Sequence, residues 1–171
     1  KGANLCNSAK EVLEKSEIVL KVNCPSNEEI NLIKNESILV GQLDHISNKE
    51  VINKLIKKSV KIFSLNLLPR ITRAQSMDVL SSQANLAGYR AVIEAVKEFD
   101  KAIPMMMTAA GTVTPAKILV IGAGVAGLQA IATAKRLGGI VSATDVRDVA
   151  KEQVESLGGK FLFVEGSENL E

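Results

Sequence analysis

The residues most able to do chemistry in this 171-residue sequence lie between Lys117 and Asp145. Lys117 to Ile121 (KILVI) is a short apolar run, followed at once by Gly122-Ala-Gly124-Val125-Ala-Gly127 and a helical stretch, Leu128 to Leu137. Between a strand and a helix, three glycines at this spacing have separate tasks. The first permits the tight turn, the second lets backbone approach a pyrophosphate, and the third lets the helix pack on the sheet. The pyrophosphate then meets the amides and the positive dipole end of that helix. A second strand, Ile140 to Thr144 (IVSAT), ends at Asp145, 23 positions beyond Gly122. An acid there accepts from an adenosine ribose 2′-OH and repels a 2′-phosphate, which favours NAD over NADP. Arg147 tempers that preference, because a nearby Arg can receive a 2′-phosphate. The competing reading is a glycine-rich turn that binds nothing. The strand before, the helix after and the acid at the end of the next strand favour a dinucleotide site instead.

A second polar constellation, Arg70, Arg73, Gln75, Asp78, Ser81 and Ser82, gathers at the start of a long helical stretch. On a helix Gln75 and Asp78 are three apart, and Ser82 lies one turn beyond Asp78, so these groups share a face with Ser81 at its edge. A carboxylate in a first turn suits the helix dipole, so capping and a solvated face account for the cluster on residue types alone. Thr72 followed by Gln75 fits a capping box.

These residues need elements to hold them. The first seventy residues alternate strand and helix: strand Ile18 to Val22, helix Asn27 to Lys34, strand Ser37 to Gly41, helix Lys49 to Lys58 and strand Val60 to Leu65. Val51, Ile52, Leu55 and Ile56 form the stripe of a helix lying on a sheet. Such alternation implies a parallel sheet covered on its faces. From Ala74 to about Lys101 the pattern predicts one long helix, with Gly88 as a weak point and Pro104 beyond its end. Met77, Leu80, Ala84, Ala87, Ala91, Ala95 and Phe99 make its apolar side. Met105 to Pro115 (MMMTAAGTVTP) reads as turn.

Composition narrows the class. Apolar residues at 46% and charged residues at 23% can bury a core and argue against disorder. A formal charge of +2, with one Tyr, four Phe and no Trp, leaves little electrostatic footprint or stacking surface for nucleic acid. Cys6 and Cys24 are too far apart for a CxxC pair and read as buried free thiols in a reducing compartment. His45 is the one histidine, so no metal site built on several imidazoles is expected. The longest apolar tract, Ile118 to Ala134, is broken by glycines and Gln129 and falls short of a spanning helix.

The runs Pro69-Arg-Ile-Thr-Arg-Ala-Gln-Ser-Met-Asp78-Val-Leu-Ser-Ser82, Asn85-Leu-Ala-Gly-Tyr-Arg-Ala91, Met105-Met-Met-Thr-Ala-Ala-Gly-Thr112 and Gly122 to Gly138 resemble the NAD(H)-binding components of proton-translocating nicotinamide nucleotide transhydrogenases. Alanine dehydrogenases are similar at a greater distance. The resemblance is dense from about Leu68 to Phe161. It implies a peripheral α/β protein that exchanges hydride between its own NAD(H) and NADP(H) held by a partner component, coupled to proton movement through a membrane component. It also implies the Si-specific reaction type, a homodimer, and a place in the cytoplasm at the inner membrane or on the matrix side of an organelle.

Carried onto this sequence, the family's nicotinamide loop falls on Arg70, Gln75 and Asp78 with a serine at Ser81, a position that helical geometry alone would give to Ser82 as readily. Ile71, Thr72 and Arg73 belong to the same turn. Gly122, Gly124, Val125 and Gly127 fall at the pyrophosphate, and Asp145, Val146 and Arg147 at the adenosine ribose. Direct transfer from one nicotinamide to another needs placement rather than a general base. Gln75 would orient the ring or its ribose, while Arg70 and Asp78 lock the loop and the carboxamide. Two other readings stand beside this one: a freestanding alanine-type dehydrogenase, with His45 as its acid/base group, and an NAD-binding module without turnover.

The expected fold is α/β, two Rossmann-like parallel-sheet lobes joined by a long helix and both incomplete: residues 1–72, the helix 73–103, and 104–171 as the first half of the nucleotide lobe. A full doubly wound lobe has six strands, whereas the glycine motif is followed by few, at Ile118 to Ile121, Ile140 to Ala143 and Phe161 to Val164. The family's loop that closes over the nucleotide is expected outside this sequence.

Overall fold

The computed structural model describes residues 2–163. Its contacts group the chain into two units, Lys1–Val79 and Leu80–Glu171.

In the first unit, helix α1 (Ala9–Lys15) precedes three strands, β1 (Ile18–Lys21), β2 (Ile38–Gly41) and β3 (Lys61–Ser64), with helices α2 (Asn27–Leu32) and α3 (Lys49–Lys57) between them. The strands pair parallel in the order β1-β2-β3, aligning Val19 with Leu39 and Leu39 with Ile62. Helix α2 starts where Ser26 accepts from the Glu29 amide and Glu29 accepts from the Ser26 amide, a complete capping box. The end of α2 is held from the next helix, because Lys58 Nζ donates to the carbonyls of Ile30, Asn31 and Ile33. Leu13, Val19, Ile30, Ile33, Leu39, Leu43, Leu55 and Val60 form the core. The stripe on α3 is narrower than its sequence suggests: Leu55 is buried, Val51 and Ile52 are half-buried, and Ile56 is exposed.

The expected cover on both faces of the sheet is absent among the described residues. Ile18, Leu20 and Phe63 on the opposite face are exposed. The cause is topological: successive right-handed crossovers that step the same way across a sheet lay their helices on one face.

After β3, two 3₁₀ segments, Leu65–Leu67 and Thr72–Met77, lead to helix α4 (Val79–Glu98). The long helix therefore begins at Val79 and not at Ala74. Asp78, with φ −74° and ψ 87°, separates the two helical segments, and no side-chain cap forms at the start of the Thr72 segment. Gln75 and Asp78 thus do not share one α-helical face.

The second unit holds α4, a hairpin of β4 (Met106–Thr108) and β5 (Gly111–Val113), and a βαβαβ run: β6 (Lys117–Ile121), α5 (Val125–Arg136), β7 (Ile140–Thr144), α6 (Ala150–Ser156) and β8 (Lys160–Phe161). The hairpin replaces the expected turn. Thr108 Oγ1 donates to the Gly111 carbonyl and accepts from the Ala110 amide, closing a loop short enough for the flanking residues to pair. Strands β6, β7 and β8 are parallel in that order. Val164, the expected end of the last strand, lies outside the described residues.

The core joins Val141, Ala143 and Phe161 from the sheet to Ala130, Ile131, Ala134, Ala150 and Val154 from α5 and α6, and Val92 from α4. Leu119, Ile121 and Ile140 on the other face are exposed, for the same topological reason as in the first sheet. On α4 the buried positions are Gly88 and Val92; the expected small-residue side, including Ala87, Ala91 and Ala95, is exposed. No helix among the described residues is long and apolar enough to cross a membrane.

Candidate functional site

Strand β6 delivers the chain to the carboxyl edge of its sheet, where Gly122 turns it with φ +92°, a backbone state that a side chain disfavours. The Gly122 amide still donates to the Thr144 carbonyl at 2.8 Å, so the turn starts from the end of the β6–β7 ladder. Helix α5 begins three residues on, with Gly124 as N-cap. A Cβ built on Gly127 would lie 1.8 Å from the Gly122 carbonyl oxygen. The third glycine is therefore what allows the loop to fold back against the first turn of α5.

Gly124 is different. A Cβ there meets nothing within 4 Å, so the chain itself imposes no steric demand for glycine. The demand comes from the space above the loop, where a ligand's pyrophosphate would need close access to backbone. The chain's own caps support this. Helices α1 and α2 start with serine caps and acids in their first turns, whereas α5 has neither a side-chain cap nor a first-turn acid. Its first-turn amides have no intrahelical acceptors and its first turn carries no acidic side chain, which suits a phosphate.

Asp145 follows β7 directly, and its side chain is only 7% exposed. Its Oδ2 accepts from the Ala123 amide at 2.6 Å, tying the tip of β7 to the glycine loop. Its Oδ1 accepts from the Arg147 amide at 2.9 Å, an Asx-type turn. The Arg147 guanidinium adds two bonds, Nε to Oδ1 at 2.9 Å and Nη2 to Oδ2 at 3.1 Å. That guanidinium first, then the Ala123 and Arg147 amides, hold the carboxyl well below the usual carboxylate range against the opposing effect of burial. A depressed carboxyl stabilises the fold fully above the unfolded carboxylate pKa, near 4, and loses that contribution as pH falls toward the folded value. The unfolding free-energy advantage of the parent over Asp145→Asn should accordingly stay constant from pH 8 to pH 5 and shrink below about pH 4, as denaturant titrations would measure.

Two contacts that the sequence did not suggest position this loop. Gly88 of α4 faces the backbone of Ala126, and a Cβ there would fall 2.0 Å from the Ala126 carbonyl oxygen. Nearby, Asn85 Nδ2 donates to Gln129 Oε1 at 3.2 Å. A single glycine in the middle of a helical pattern was the available signal for such close approach.

The other expected site residues lie in the first unit, apart from Ser81. Arg70, Ile71, Thr72, Arg73 and Gln75 are exposed, and Asp78 and Ser81 are half-buried. The segment leaves the carboxyl end of the first sheet at a point fixed by Asn66, whose Oδ1 accepts from the Leu43 and Asp44 amides and from Ser64 Oγ. Val125 and Val146 are exposed beside the glycine loop and Asp145. His45 sits in an exposed turn after β2. Cys6 is exposed, contrary to the expected burial, because it precedes the first packed helix; Cys24 is half-buried, and burial pushes its thiol up.

An apolar groove of about 380 Å³ runs along α4 and β6, lined by Val92, Val96, Phe99, Ile103, Leu119 and Ile121 among others. It offers few of the convergent polar groups that orient a ligand, so the glycine loop, and not this groove, is the better site.

The sequence matches the alanine dehydrogenase/PNT N-terminal domain over residues 1–87 and the C-terminal domain of the same description over residues 91–171. The chain belongs to the alanine dehydrogenase/PNT family. Within it, the chain is 54% identical over 169 residues to an NAD(P) transhydrogenase alpha-subunit polypeptide of Rhodospirillum rubrum, covering 96% of this chain and 44% of the relative. The solved structure of the transhydrogenase from Sinorhizobium meliloti superposes with a TM-score of 0.85 at 56% identity, covering 91% of this chain and 47% of that one. An L-alanine dehydrogenase structure shares the fold alone, at TM-score 0.74 and 22% identity, covering 98% of this chain and 47% of that one. The chain spans somewhat under half the length of these family members.

Proposed function

We propose that the chain belongs to the NAD(H)-binding component of a proton-translocating transhydrogenase, Si-specific in type. The observation that carries the reading is the glycine loop anchored by the Asp145 carboxylate, with open ground above Gly124. High identity to a named transhydrogenase subunit supports this activity over others in the family.

In this reading the amides of the first turn of α5 hold the pyrophosphate, with Gly122, Gly124, Val125 and Gly127 shaping the approach. Asp145 accepts from the adenosine ribose hydroxyls and disfavours a 2′-phosphate, with Val146 and Arg147 alongside. Bound NAD(H) supplies a hydride donor or acceptor at nicotinamide C4. Arg70, Ile71, Thr72, Arg73, Gln75, Asp78 and Ser81 orient the nicotinamide end, Gln75 the ring or its ribose. None of them needs to move a proton, so their contribution is orientation. NADP(H) would be held by a partner component and proton movement carried by a membrane component. The chain would act as a homodimer at the cytoplasmic face of the inner membrane, or on the matrix side of an organelle.

The test combines the full-length subunit with an NADP(H)-binding component and follows hydride exchange from NADH. Gln75→Ala should slow exchange at least tenfold, about 1.4 kcal/mol of transition-state placement, with the NADH Kd changed less than threefold. Tight NADH binding without exchange would leave only a binding module. Pyruvate- and ammonium-dependent NADH oxidation would restore the amino-acid dehydrogenase reading, against the exposed setting of His45.

A further inference from the structure

An ionised carboxylate offers about four lone-pair sites on its two oxygens. At Asp145 four donors already approach them. The Ala123 and Arg147 amides take one site on each oxygen, and the Arg147 guanidinium takes one more on each. The two amides belong to the glycine loop and to the turn after β7, so their bonds cannot be given up without moving backbone. The guanidinium bonds are the removable pair. Arg147 is 54% exposed, while the carboxylate beneath it is 7% exposed.

A vicinal diol presents two hydroxyl donors side by side, and a guanidinium fork presents two N–H donors in nearly the same way. We propose that Arg147 is a latch on the nucleotide subsite: its side chain occupies the Asp145 acceptors that the adenosine ribose diol requires, and it must swing away before the ribose can bind. This inference rests on the reading of Asp145 as the ribose acceptor given above. It adds a residue that lowers affinity for ligands carrying the 2′,3′-diol and leaves a ligand lacking those hydroxyls unaffected, because such a ligand does not compete with the guanidinium for the Asp145 acceptors.

The size of the effect follows from exposure. A solvent-screened ion pair contributes roughly 0–1 kcal/mol, and a ligand that binds only the open state loses affinity by the fraction of molecules open. The latch thus weakens binding by about two- to fivefold.

The experiment titrates NADH by nicotinamide fluorescence into the full-length subunit and its Arg147→Ala, Arg147→Lys and Asp145→Ala variants. 5′-AMP and 2′,3′-dideoxy-5′-AMP serve as displacing competitors. Arg147→Ala should tighten NADH and 5′-AMP about two- to fivefold and raise the NADH association rate in stopped flow, while leaving the dideoxy competitor unchanged. Arg147→Lys keeps the positive charge near the pyrophosphate but loses the fork, so it controls for simple charge removal and should also tighten binding. The latch is overturned if neither variant tightens NADH, or if the dideoxy competitor gains as much as 5′-AMP. Asp145→Ala separates this failure from that of the underlying reading. Weaker NADH binding by Asp145→Ala keeps Asp145 as the ribose acceptor even without a latch, and unchanged binding removes both.

Discussion

Gly127→Ala should cost the chain both stability and nucleotide affinity, whereas Gly124→Ala should cost affinity alone. At Gly127 the new methyl would sit 1.8 Å from the Gly122 carbonyl, far inside contact distance and against backbone that cannot rotate aside. Relief requires α5 to shift from the sheet or the Gly122 turn to open, an overpacking cost of about 1–3 kcal/mol or more. In a chain of this size each kcal/mol lowers Tm by about 2–4 °C. Opening the turn also moves the Ala123 amide away from Asp145, so NADH affinity should fall at least tenfold. At Gly124 the methyl enters empty space, and thermal unfolding should change little, within about 0.5–1 kcal/mol. That space is where the pyrophosphate would approach, so NADH binding should again fall about tenfold or more. The two measurements are thermal unfolding and fluorescence titration. A Gly124→Ala protein that binds NADH as tightly as the parent would remove the glycine loop from the proposed site.

The second large effect lies on α4, where general helix physics and this structure predict opposite signs. Glycine inside a helix costs about 1 kcal/mol relative to alanine, so propensity alone predicts that Gly88→Ala stabilises. The structure puts the added methyl 2.0 Å from the Ala126 carbonyl oxygen, with the Ala126 Cα at 3.0 Å, so α4 and the start of α5 must separate. The overpacking cost exceeds the propensity gain, and the net expectation is a loss of about 2 kcal/mol, seen as a Tm lower by about 4–8 °C. Because Ala126 lies in the first turn of α5, directly after the glycine loop, NADH affinity should fall with it. A Gly88→Ala protein with a raised Tm would mean that α4 does not approach the loop this closely.

The contrast between these glycines shows which features of the candidate site were legible. Gly122, Gly124 and Gly127 announced themselves by spacing between a β-branched run and a helical run, and Asp145 by its place at the end of the next strand. Both readings depend only on local order along the chain, where a period of two or of 3.6 is written directly into side-chain type. Gly88 carried no such label. Its reason is the backbone of Ala126, 38 residues further along, and a sequence reads a lone helical glycine only as a weak point. The Thr72–Gln75 pair misled for a related reason: the residue types of a capping box were present, but the chain formed a 3₁₀ segment and restarted its helix after Asp78.

By itself the sequence determined the alternation of parallel strands and helices, the glycine loop and its acid, and, through the runs around Arg70 to Ser82, the family. These are encoded by short-range patterns and by matches of residue type. Only the tertiary structure decided that each parallel sheet keeps one apolar face exposed among the described residues, that α4 buries Gly88 and Val92 instead of its alanine side, and that Arg147 already fills the acceptors of Asp145. Crossover direction, close backbone approach and competition for lone pairs are properties of groups brought together from distant positions or by a specific turn, and no spacing rule along the chain records them.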